Sequence, residues 1–101
     1  MMNCNKRLIS GMPAEQVATS AFAWAAFGAA EAFLHAISRN SNGGESCARY
    51  MLDYITAGGL DLPPRHFIDQ TIDMAPWLSP YRRRAMHTLD RLTRERDGAG
   101  Q

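Results

Sequence analysis

The stretch PAEQVATSAFAWAAFGAAEAFLHAISR, residues 13–39, decides the fold class of this chain. Proline fits the first position of a helix, because the N–H it lacks would have no intrahelical partner there. A helix therefore opens at about Pro13 or Ala14 and runs to Arg39. Glu15 complements the positive end of its dipole, and the alanine-rich interior has the highest intrinsic propensity. At about 100° per residue, Ala14, Ala18, Ala21, Ala25, Gly28, Ala32 and Ala36 fall on one narrow stripe. Phe22, Phe33 and Ile37 flank it on one side, and Val17, Trp24, Phe27 and Leu34 on the other. Ser20, Glu31, His35 and Ser38 supply only a thin polar edge. A helix apolar nearly all round belongs at the centre of a fold or in an interface. The stripe of small residues lets a second backbone approach closely, so a homodimer paired through this helix is one expectation.

Outward from that helix, turn-forming residues cluster at Gly11–Pro13, Asn40–Gly44, Gly58-Gly59, Pro63-Pro64 and Pro76–Pro80. The segments between them read as three further helices. The second runs from about Glu45 or Ser46 to Ala57, with Cys47, Ala48, Met51, Leu52 and Ile55 inward and Gly58 as its stop. The third opens near Pro64 and ends before Pro76, burying Phe67, Ile68, Thr71, Ile72 and Ala75. The fourth takes Ser79 as N-cap and Pro80 as first helical residue, turns Ala85, Met86, Leu89, Leu92 and Thr93 inward, and ends at Gly98. No segment sustains the two-residue alternation of a strand. The expectation is an all-α protein, a compact bundle of about four helices around the long alanine-rich N-terminal one.

A chain of 101 residues fits one domain, here 1–101 with flexible ends at 1–12 and 97–101. Such a domain buries roughly 60–70% of its unfolded surface, enough for a single core. The net charge of +1 calls for neither a polyanionic nor a polycationic partner, but it hides a local bias. Between Pro80 and Asp97 stand six arginines against Asp90, Glu95 and Asp97, while the remainder holds five basic and seven acidic residues. A charged contact with nucleic acid or with an acidic protein would therefore use the C-terminal segment. Cys4 and Cys47 are too few for a disulfide scaffold and read as free thiols. The uncharged run Val17–Ala30 is 14 residues, short of the ~20 that span a bilayer. Pro13, Glu15 and Gln16 break the layout of a signal peptide after Lys6 and Arg7. These features lead us to expect a cytoplasmic protein without a membrane partner.

No arrangement of side chains points to catalysis, cofactor or metal. His66, Asp69 and Asp73 share a helix face at a spacing acceptable for a divalent cation, but they occupy the positions solvent takes anyway. Glu31 and His35 are an i,i+4 pair that reads as a hydrogen-bonded polar edge rather than an acid–base device. Gly43-Gly44 lacks the strand and Lys-Ser/Thr of a phosphate loop and reads as a linker. The connection Gly58–Pro63 is too long and proline-laden for a helix-turn-helix.

The candidate surface is the last helix and the bracket before it. Arg84, His87, Arg91 and Arg94 fall in one polar arc with Arg83 beside them. Asp90–Arg94 and Arg91–Glu95, at i,i+4, offer a local use for some of this charge. The triplet Arg82-Arg83-Arg84 stands at a helix N-terminus, against the macrodipole, which suggests another use for it. Trp77, with Tyr81 nearby, is either a plug for the bundle end or an exposed anchor, and Trp, Tyr and Arg are the side chains that dominate interface energetics. The expected function is a non-enzymatic binding module or inhibitor that occupies an acidic surface of a partner protein through Trp77, Tyr81, Arg83, Arg84, His87, Arg91 and Arg94. Small motif-free proteins of this kind include phage or mobile-element inhibitors of host defence such as anti-CRISPR proteins, although no residue pattern here identifies such a family. The alternative is a small nucleic-acid-binding protein using the same basic helix.

Overall fold

The computed structural model of the chain describes residues 14–40 and 43–99. Four α-helices, α1 (Ala14–Ser38), α2 (Gly43–Ala57), α3 (Pro64–Met74) and α4 (Arg82–Ala99), are joined by short turns and by a 3-10 helix, Pro76–Tyr81, that leads into α4. Among the described residues there is no strand. The protein is an all-α bundle, as its helical periodicity dictates.

Every other element packs on α1, most extensively α2. The buried face of α1 is Ala26, Ala29, Ala30, Phe33, Leu34 and Ile37. Against it lie Ala48, Met51 and Leu52 from α2, Phe67 and Ile68 from α3, Leu78 from the 3-10 helix, and Ala85, Leu89 and Leu92 from α4. Side chains of this size contribute about 1.5–3 kcal/mol each when fully buried. The one buried polar side chain in this core, Thr71, is satisfied locally: its hydroxyl donates to the Phe67 carbonyl at 2.7 Å. Phe67 also meets the Phe27 ring edge-on, at a centroid distance of 4.9 Å. The inward faces of α2, α3 and α4 are those the periodicity predicts.

The helix ends differ from their sequence reading in ways packing explains. α2 begins at Gly43, so the glycine pair expected as a linker lies in its first turn. Gly44 is there because α2 starts in contact with α1: a Cβ on it would stand 3.3 Å from Ala36 Cβ. The C-terminal stop of α2 is Gly59, not Gly58. Gly59 takes φ +59°, its N–H donates to the Thr56 carbonyl, and Leu60 N–H donates to the Ile55 carbonyl. That pair of bonds is the Schellman closure, which needs a left-handed residue. Asn40 fills the same role after α1, with φ 56°. Gly98 has no positive φ, and α4 passes through it to Ala99. Part of the C-terminal end expected to be flexible is therefore helical, while the expectation for residues 1–12 lies outside the described residues.

Ser79 and Pro80 do not start the last helix. They lie within the 3-10 helix, and the Arg82 N–H donates to the Ser79 carbonyl where α4 takes over. Ala75, at φ −136° and ψ 74°, breaks the chain after α3, and Pro80 then fixes φ near the value that both helix types use, so the 3-10 helix passes into α4 without a break. That turn carries Leu78 into the core and leaves Trp77 outside.

The molecule measures 45 × 38 × 19 Å, so its thinnest direction holds about two layers of helix. Two layers cannot enclose α1. Its opposite face, Ser20, Ala21, Trp24, Gly28, Glu31 and Ala32, is exposed. The segment Ser20–Ser38 is long and apolar enough to cross a membrane by length and composition, yet only 28% of that window is buried by the rest of the chain. Within the fold its Phe33, Leu34 and Ile37 are core residues.

Candidate functional site

The arginines of α4 are divided by the helix's rotation into two sets. Arg84 and Arg91, seven residues apart, face α2 and the turn before it. Arg91 Nη2 donates to Glu45 Oε2 at 2.6 Å and Nη1 to Glu95 Oε2 at 2.9 Å. Arg49 of α2 completes a square of alternating charges by reaching Glu45 at 3.0 Å and Glu95 at 3.5 Å. The Arg91 guanidinium, followed by that of Arg49, holds the Glu45 carboxyl below its ordinary range, and Glu45 raises Arg91 in turn. Arg84 Nη1 donates to Asn40 Oδ1 at 3.1 Å, across to the end of α1.

The same holds for arginines outside the expected site. Arg82 grips Asp69 of α3 through Nε at 2.6 Å and Nη2 at 3.3 Å, a forked pair that lowers the Asp69 pKa. Arg96 reaches Asp53 of α2 at 2.7 Å. Two arginines of the N-terminal triplet, Arg82 and Arg84, thus have an internal use: they tie α4 to α3 and to the end of α1. Because the 3-10 helix precedes them, they do not stand at a free helix start. Of the expected contact residues, Arg84 and Arg91 thus make hydrogen bonds within their own chain. Arg83, His87 and Arg94 form the second set, an exposed row with no hydrogen-bonded partner among the described residues. Asp90 stands in that row, so it is a mixed rather than a purely cationic face.

The weaker arrangements resolve as ordinary surface and packing. Asp69 is held by Arg82, and the His66 ring meets Phe67 edge-on, at a centroid distance of 5.5 Å. Among the described residues no cluster of three His, Cys, Asp or Glu side chains is placed to hold a metal ion. No hydrogen bond joins Glu31 to His35 among the described residues. Cys47 is a free, half-buried thiol rather than the buried one its position suggests, and Cys4 lies outside the described residues.

Large apolar side chains are also exposed among the described residues. Trp77 is 67% exposed, so it does not plug the bundle end. Tyr81, expected beside it, is half-buried and packs against the core. Trp77 does not stand alone: Trp24 of α1 is 76% and Met74, the last residue of α3, 79% exposed. These three rim a groove of about 520 Å³ between α1 and the α3–3-10 junction, floored by Phe27, Gly28 and Ala75. Glu31 and His35 lie along its α1 side. None of the exposed arginines lines it. Met74 is legible in the sequence beside Trp77, whereas Trp24 was missed because a helix apolar on every side does not reveal which face its neighbours cover. The signal available was Met74 and Trp77 flanking Pro76, where the chain turns out of α3.

No family model matches the chain, and neither a curated protein nor a solved structure is similar to it.

Proposed function

We propose that this protein is a non-enzymatic binding module that acts by occupying the surface of another polypeptide, and that the groove of Trp24, Met74 and Trp77 is its contact surface. The observation that carries the reading is the exposure of two tryptophans and a methionine around one apolar groove. Burying such side chains is strongly favourable, and tryptophan loses few rotatable bonds on binding, so exposed tryptophans at a concave site are effective anchors. Methionine adapts to irregular partner surfaces. The groove's volume lies within the ordinary range for binding sites, about 300–1,000 Å³.

The electrostatic part of the expectation narrows to Arg83, His87 and Arg94. Their exposure supports a role in steering an acidic partner toward the protein rather than in anchoring it. Blocking a partner's surface without chemistry is one way small inhibitors act, and an inhibitor of the phage-encoded anti-CRISPR kind is the most specific form of this reading. Direct nucleic-acid binding is the second reading. It has less support, because four arginines are already paired with carboxylates of this chain.

A photo-crosslinking side chain placed at position 77 tests the proposal. The expected result is a covalent adduct with a polypeptide, lost when Trp24→Ser and Met74→Ser are added and retained with Arg83→Glu and Arg94→Glu. Adducts indifferent to Trp24 and Met74 refute the groove. A steep fall of nucleic-acid affinity with salt, dependent on Arg83 and Arg94, would favour the second reading instead.

A further inference from the structure

We propose that the occupant of this surface is a second copy of the same chain, packed α1 against α1 with Gly28 at the point of closest approach. The inference rests on the groove reading above and names its partner.

Gly28, like Gly98 near the end of α4, is a helical glycine that contacts within the molecule do not account for. It lies in the middle of a 25-residue helix, exposed, in ordinary helical conformation, and a Cβ built on it meets nothing within 4 Å. Glycine weakens a helix interior relative to alanine. Gly58 and Gly44 each have a neighbour that a methyl group would touch, whereas Gly28 has none. A glycine with no steric reason inside its own chain fits a helix that receives another backbone. Ala21, Ala25, Gly28 and Ala32 follow one another at spacings of four, three and four, the seam along which two helices run side by side. Small residues on that seam bring the axes to the short end of the usual 8–10 Å separation.

The surface beside the seam supplies the area. Trp24, Met74 and Trp77, exposed as given above, leave on the order of 500 Å² of apolar side chain in water. That is at the upper end of what a monomer shows, and more than half of the roughly 800 Å² each partner contributes to a stable interface. On the other side of the seam, Ala25, Ala29, Ala32, Cys47, Tyr50 and Tyr54 form a second, shallower apolar groove, with Tyr50 59% exposed. The face is also self-complementary. In an antiparallel two-fold pairing centred on Gly28, Trp24 of each copy lies opposite Ala32 of the other, so that bulk meets a small residue at both ends. Glu31 is the one formal charge on the exposed α1 face from Ser20 to Ala32, and no arginine or lysine lines the groove. A face without cations lacks the attraction to anionic headgroups that interfacial helices use, which favours a second copy over a lipid surface.

Sedimentation equilibrium of the full chain from about 1 to 100 µM, a range chosen for ordinary homodimers, decides the matter. The wild type is expected to sediment as a dimer. Gly28→Leu is expected to be monomeric throughout, with its helicity retained, because the monomer has open space for the new side chain. Trp24→Ser should weaken association by tenfold or more. A wild type that is monomeric at 100 µM overturns the inference, and so does a Gly28→Leu variant that remains dimeric. A monomer that instead partitions onto neutral liposomes assigns the face to lipid and overturns it as well. In the monomeric cases, crosslinking at position 77 to another polypeptide leaves the groove reading standing; with no such adduct, both fall.

Discussion

Replacing Gly58 by alanine puts a methyl group where α1 and α2 leave no room for one. A Cβ at Gly58 would stand 2.5 Å from Phe22 Cβ, 2.9 Å from Phe22 Cγ and 3.1 Å from the Tyr54 carbonyl oxygen. Carbon atoms pack at about 3.5–4.0 Å, so the overlap is on the order of 1 Å. Phe22 Cβ is fixed to the α1 backbone and has no rotamer by which to escape. Relief requires the C-terminal end of α2 to move away from α1, and overpacking of this kind costs about 1–3 kcal/mol. Alanine also restricts the unfolded chain, which returns about 0.4–1 kcal/mol. The expected net loss is about 1–2 kcal/mol, or a Tm lower by roughly 5–15 °C for a domain of this size. Circular-dichroism melts and urea titrations at fixed protein concentration measure it. Gly59→Ala is the control: it meets nothing within 4 Å but must hold φ +59°, so its loss comes from backbone strain and is independent of Phe22. Phe22→Gly, which removes the Cβ as well as the ring, should couple to Gly58→Ala by more than about 0.5 kcal/mol and should not couple to Gly59→Ala. Gly58→Ala melting at or above the wild type, or showing no coupling to Phe22, would refute the packing assigned to this position.

Two further outcomes follow from the ion pairs. Arg91→Glu places a third carboxylate between Glu45 and Glu95 and should lower the Tm, less so in high salt, whereas Arg94→Glu should leave stability within about 0.5 kcal/mol of wild type; equal effects would show that the two arginines are not divided as described. Glu45 and Asp69 have folded pKa values below their ordinary ones, so their contribution is complete above the ordinary carboxylate range and disappears as the pH falls through the lowered values. Stability should therefore decline in acid, and the decline should be shallower in Glu45→Gln combined with Asp69→Asn; an unchanged slope in the double variant counts against these pairs.

Local signals in the sequence were legible wherever one residue type answers one backbone demand. Pro64 starts α3, the Gly58-Gly59 pair ends α2, and apolar spacing gives the inward faces of α2, α3 and α4. The same signals misled where a residue had two possible reasons to be there. Gly58 sits at a helix end and so reads as a cap, but it is glycine because Phe22 lies against it, and the neighbouring Gly59 makes the left-handed turn. Ser79-Pro80 reads as a helix start, but Leu78 has to turn into the core before α4 begins, and a 3-10 helix does this. In the candidate site, Trp77, Arg83, His87 and Arg94 were visible as exposed groups of the right type, and Arg84 and Arg91 were not distinguishable from them. Periodicity places a side chain on a face, but Glu45, which claims Arg91, and Asn40, which accepts from Arg84, each lie more than forty residues away in the chain.

The sequence by itself determined that this protein is helical, where its helices lie to within a turn, and which faces of α2, α3 and α4 are apolar enough to be buried. These follow from interactions among residues within four positions of each other. Only the tertiary structure decided which side of α1 is covered, since an apolar helix satisfies burial equally well through either side. That choice left Trp24 and Gly28 in water beside Trp77, and the same packing brought Asn40 and Glu45 within reach of Arg84 and Arg91. The exposed apolar groove is therefore a property of how two helical layers are stacked, set by contacts between residues distant in sequence.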